Sequence, residues 1–114
     1  MFDQLFERSH ALIRQRTAPL ADERRRYLIH CSEQGMAKRT LRLTAELLVA
    51  VEDRLKLAER PNSIINLQEI EDAGTGWVSR KAVPPIRIHP KESKQRFVRN
   101  AVRWLAFMGR LQPL

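Results

Sequence analysis

Cysteine occurs once in these 114 residues, at Cys31, which excludes an internal disulfide and any metal site built from cysteines. Its place in a helical stripe with Tyr27 and Leu28 predicts a buried thiol. Long apolar runs are missing too. None exceeds five residues, as at 47–51, far short of the roughly 20 that cross a bilayer. A signal-peptide layout is excluded by Asp3, Glu7 and Arg8 near the N-terminus. Glycine is sparse, at 4, and aromatics make up only 6 %, whereas runs of Leu, Ala, Arg, Glu and Gln favour helix. Chemistry-bearing constellations are equally thin. His10, His30 and His89 have no carboxylates arranged with them as a metal set, and there is no phosphate-cradling glycine loop. His30 and Cys31 are adjacent on a helix and point about 100° apart, a poor geometry for a base and its nucleophile. His89 precedes Pro90 in a loop and reads as solvated, while Asp22–Glu23 and Glu71–Asp72 read as ordinary solvated helix faces. The expectation is one soluble, cytoplasmic domain with no catalysis, metal or cofactor of its own.

What is there is positive charge, unevenly placed. Residues 80–114 hold nine Lys or Arg and one acid, and so carry the whole net charge of +8. Residues 1–79 hold 12 of each sign and are neutral. A basic third on a balanced body is the electrostatic footprint of a protein that sits on a polyanion. Sixteen of the 21 basic residues are arginine, whose planar fork suits bidentate phosphate and guanine contacts.

Periodicity predicts an all-α, compact four- to five-helix bundle. Residues 1–16 repeat apolar positions at Phe2, Leu5, Phe6, Leu12 and Ile13 and read as one terminal helix. Thr17 and Pro19 suit a cap and first turn for the next, with Leu20, Tyr27, Leu28 and Cys31 inward and Gly35 as its stop. Arg24 falls inside that stripe, so it is expected to pair with an acid or reach the edge. A helix over about 37–57 buries Leu41, Thr44, Ala45, Leu48, Val51 and Leu55. Asn66 and Glu69 have capping-box spacing for a third helix, with Leu67, Ile70, Ala73 and Trp77 inward and Glu69, Glu71 and Asp72 facing away from any polyanion. Gly74 and Gly76 weaken its second half. Residues 83–90 hold three prolines and make a loop. The last helix starts at Glu92 or Ser93 and stops at Gly109, with Phe97, Ala101, Trp104, Leu105 and Met108 on one face and Arg96, Arg99, Arg103 and Arg110 opposite.

The candidate nucleic-acid footprint has three parts. Lys38, Arg39, Thr40 and Arg42 begin one helix, where free backbone N–H groups hold phosphate. Arg80, Lys81, Arg87, Lys91 and Lys94 surround the proline loop. Arg96, Arg99, Asn100 and Arg103 ride the last helix at a spacing a major groove accepts, with Asn100 as a base reader. Glu46 and Asp53 confine contact to the start of the 37–57 helix. A protein-interaction module is the rival from another class, with the basic face meeting an acidic partner and Phe107, off the apolar face, marking an apolar patch. A membrane surface is disfavoured by the lack of interfacial aromatic anchors.

Three strings carry a family resemblance: Leu5-Phe-Glu-Arg, Arg16-Thr-Ala-Pro-Leu, and Glu33-Gln-Gly-Met-Ala-Lys-Arg-Thr-Leu-Arg. They resemble the N-terminal region of tyrosine recombinases of the phage-integrase family, in particular integrases of bacterial mobile elements. The stretch from Arg96 through Leu111 is similar to the helix closing that domain. The resemblance implies a SAM-like core-binding domain over 1–109 that grips double-stranded DNA as half of a clamp. It also implies that residues 110–114 begin a linker to the recombinase's own catalytic domain, and that the isolated domain is a monomer. By position it assigns the DNA-reading helices to Lys38, Arg39, Thr40 and Arg42 and to Arg96, Arg99, Asn100 and Arg103. The family's catalytic arginine, lysine, His-x-x-Arg pair and tyrosine belong to the other domain. Tyr27 is not carried over as the nucleophile, and His10 and Arg14 are four apart rather than three.

Overall fold

Six α-helices and one 3₁₀ turn make up the computed structural model, which describes residues 1–80 and 90–113: α1 (Phe2–Leu5), α2 (Ser9–Thr17), α3 (Ala21–Glu33), α4 (Lys38–Leu55), the turn Leu57–Glu59, α5 (Leu67–Arg80) and α6 (Pro90–Met108). The all-α bundle is as expected, with two more short helices than periodicity alone resolves. The proline-rich loop lies almost wholly outside the described residues.

The N-terminal segment divides because the chain turns extended at Phe6 (φ −122°, ψ 116°), which lets Phe2, Leu5 and Phe6 all bury. Ending α1 there frees the Leu5 carbonyl, and Arg42 of α4 donates its Nε to it at 2.9 Å. In α2 the expected inward Ile13 is exposed and Gln15 is buried instead. The reason lies in α3. Arg24 is 0 % exposed and forms no salt bridge with an acid among the described residues. Its Nε donates to the Pro19 carbonyl (3.0 Å), its Nη1 to Gln15 Oε1 (2.9 Å), and its Nη2 to the carbonyls of Gln15 (2.7 Å) and Ala18 (2.8 Å). The guanidinium carbon also sits 5.3 Å from the Phe2 ring centroid. Thr17 therefore closes α2, donating its Oγ1 to Ile13, and does not cap α3, which starts after Leu20 in the left-handed region (φ 60°). Buried Glu52 of α4 lends Arg24 an opposing field.

Gly35 (φ 93°) ends α3 as predicted, with Met36 N–H bonded to Cys31 and Gly35 N–H to Ser32, the paired bonds of a Schellman stop. The predicted inner face of α4 is buried at every position. Asn66 Oδ1 accepts the Glu69 N–H at 2.8 Å, but Glu69 spends its carboxylate on Arg60 and leaves the capping box half formed. Of the four residues expected inward on α5, Ile70 is fully buried, Ala73 and Trp77 are half-buried, and Leu67 is exposed.

The two glycines do not stop α5. A Cβ on Gly74 would lie 3.3 Å from side-chain atoms of Lys94, Phe97 and Val98, so its bareness lets α6 approach and the Trp77 and Phe97 rings stack at 5.3 Å. Around Gly76 a Cβ would meet only the Arg54 side chain, at 3.7 Å. Gly76→Ala is thus expected to stabilise by roughly 0.5–1 kcal/mol, and Gly74→Val to destabilise by about 1–3 kcal/mol through overpacking, as read by urea unfolding.

α6 begins at Pro90, a turn earlier than predicted, since proline is at home in a first helical turn. Phe97, Ala101, Trp104 and Leu105 are fully buried. Trp104 Nε1 is buried with no partner among the described residues, an expense of about 1–3 kcal/mol set against the packing of its ring. Past Gly109 (φ 72°) the chain folds back. Arg110 donates to the carbonyls of Ser63 (3.0 Å) and Arg60 (2.8 Å), and Ile65 and Leu111 form a parallel bridge. Residues 110–112, read from sequence as the start of a linker, are therefore fastened to the body, and Arg110 is absent from the outward basic row.

Candidate nucleic-acid interface

Leu43 and Leu47 of α4 line one cavity with Ser93 and Arg96 of α6, whereas Met36, just before α4, lines another with Arg103 and Ala106. The two helices therefore run antiparallel, and the first turn of α4 lies toward the C-terminal half of α6. Lys38, Arg39 and Thr40 are exposed on that turn, and Ala37 before them makes no side-chain cap bond. Arg96, Arg99 and Arg103 are exposed along α6. The start of α4 thus lies beside the Arg103 end of the arginine row that the sequence singled out.

Other candidates are placed differently. Arg42 is exposed, but its bond to Leu5 turns it toward α1. Asn100 is half-buried and donates its Nδ2 to the Arg96 carbonyl at 2.8 Å, so one of its two amide N–H groups is taken by its own helix. Lys91, Lys94 and Arg99 surround a cavity that Glu71 also lines, so one acid of α5 borders the basic cluster despite the expectation that it faces away. Lys94 lays its stem beside Gly74. Lys81 and Arg87, with the Arg80 side chain, lie outside the described residues, as does His89.

Spacing gave no sign of several neighbours. Arg14 of α2 and Glu46 line the cavity of Arg96, together with Trp77 and Leu43, which is 49 % exposed. Around Arg103 stand Tyr27, His30, Cys31 and Phe107. The Phe107 ring lies 5.4 Å from that of Tyr27 and 4.9 Å from that of His30. Burial pushes the Tyr27 phenol well above its usual range and raises the Cys31 thiol, while the Arg103 charge pulls weakly the other way on both. Cys31 is therefore a protonated core thiol at neutral pH. Among the described residues no group of three or more His, Cys, Asp or Glu could hold a metal, and no helix is long and apolar enough to cross a membrane.

No family model, curated protein or solved structure matches the chain.

Proposed function

We propose that the chain is a DNA-binding domain of the tyrosine-recombinase type, SAM-like in architecture, that grips duplex DNA in the cytoplasm as one half of a clamp. The observation that carries this reading is the exposed α6 row with the start of α4 beside its Arg103 end, and with Glu46 and Glu71 at its margins. Three arginines, Arg96, Arg99 and Arg103, on the 19-residue α6 present guanidinium forks over about 10 Å, a length that a groove can take up. Backbone N–H groups at the start of α4 add phosphate donors. Chemistry on DNA then belongs to the recombinase's catalytic domain, the second partner in this reading. With the Asn100 amide turned to its own helix, affinity comes mainly from phosphate and sequence preference is modest.

Titration of a fluorescent 25-base-pair duplex by anisotropy at several salt concentrations tests this. Log affinity is expected to fall with log salt at a slope of about −4.5 or steeper, the value for roughly five phosphates. Absence of binding at low salt would sink the reading and leave the basic face to an acidic protein.

A further inference from the structure

Phe107 is the one aromatic among the exposed large apolar side chains of the described residues, at 44 % exposure. It stands on α6 four residues past Arg103, which is itself seven past Arg96, so the three fall on one stripe of the helix. One turn of helix, about 6 Å, separates Arg103 from Phe107 along the axis. Beside the ring are His30 and Tyr27, and next to it opens a cavity of about 750 Å³ with Arg103 on its rim and Met36 and Gly35 on the α4 side. A phosphate held by Arg103 would bring its own base to this ring. Phenylalanine has nothing to offer a phosphate, but it has a π-face for a base. A base paired inside a duplex shows only its edge, so the fitting ligand is one already out of the stack.

We propose that Phe107, backed by His30 and Tyr27, is a stacking platform for an unpaired nucleobase of the bound DNA. This rests on the DNA-binding reading and deepens it. The platform would make the domain favour distorted or locally opened duplex over regular duplex. The arginine row holds the backbone, and Phe107 takes the base that the distortion frees.

The test compares two labelled 25-base-pair duplexes by anisotropy, one fully paired and one carrying a single extra, unpaired adenine at its centre. Wild type is expected to bind the second about tenfold more tightly. Phe107→Leu keeps an apolar side chain against Tyr27 without the π-face. It should bind the two duplexes equally, with affinity for the paired duplex unchanged, and Phe107→Trp should restore the preference. A circular-dichroism melt of each variant confirms folding. Equal binding of both duplexes by wild type overturns the proposal, as does a preference that survives in Phe107→Leu. If neither duplex binds at low salt, the DNA-binding reading itself falls, and this inference with it.

Discussion

Arg24→Ala is expected to cost about 4 kcal/mol of folding stability or more, a large part of the roughly 5–15 kcal/mol that holds a domain of this size. The guanidinium is fully buried and donates to four oxygens, three of them main-chain carbonyls of Gln15, Ala18 and Pro19. Those carbonyls lie in the last turn of α2 and in the link to α3, where no helix supplies them with donors. Truncation leaves several buried acceptors unmet, at roughly 1–3 kcal/mol each. It also removes the cation from the Phe2 ring and opens a cavity. The terms share one neighbourhood and do not add fully.

Substitutions that keep part of the side chain should rank in order. Arg24→Lys retains the charge, but one ammonium cannot span four acceptors, and a loss of about 2 kcal/mol is expected. Arg24→Met fills the volume and satisfies no carbonyl, at about 3 kcal/mol. Urea unfolding followed by helical circular dichroism gives the ranking. A change under 1 kcal/mol for alanine would show that water or a rearranged Gln15 can replace the guanidinium.

Arg24 also marks where reading the chain stops short. The apolar stripes of α4 and α6, the Gly35 stop and the Asn66 cap were legible, because each depends on residues a few positions apart. Arg24 was recognisable as a cation in an apolar stripe, and an acid was its natural partner. Its actual partners are carbonyls, which no side-chain pattern encodes. They become available because α2 ends extended at Ala18, Pro19 has no N–H to return to Gln15, and α3 starts only after a left-handed turn at Leu20, a residue with no intrinsic preference for it. The same holds for Arg110 and the carbonyls at Arg60 and Ser63, and for Arg42 and Leu5. In all three, an arginine turns to backbone carbonyls that a helix end or turn has left unpaired.

The basic face was legible to the same depth. Charge segregation on α6 follows from helical angle alone, and the row of Arg96, Arg99 and Arg103 is exposed as expected. That α4 lies antiparallel beside it, so that its start comes to the Arg103 end of the row, is a tertiary fact. So is the approach of Glu71, which faces out on α5 by its own periodicity yet borders Arg99 once Gly74 lets α6 close in. Phe107 stood out as an aromatic off the apolar face, but its neighbours Tyr27 and His30 come from α3, some 80 residues earlier in the chain.

Reversing the row gives the largest expected effect on binding. Arg99→Glu/Arg103→Glu removes two exposed cations and places two anions where phosphates would sit. Each charged contact is worth roughly 1.5–3 kcal/mol, so the double variant should lose about 100-fold or more in duplex affinity near 0.1 M salt. The salt slope should flatten by about two units, one per phosphate released. Because each reversal removes two units, the variant carries +4 where the wild type carries +8. A general loss of attraction must therefore be separated from loss of a site. Arg25→Glu/Lys56→Glu has the same net charge, with its changes on the exposed side of α3 and just beyond the far end of α4. Debye screening at about 0.1 M salt falls off over roughly 10 Å, so distant charges count for little. The control should lose only a few-fold and keep the wild-type slope. Equal losses in the two variants would mean that attraction comes from net charge rather than from the α6 row, and the groove-facing assignment of Arg99 and Arg103 would fail.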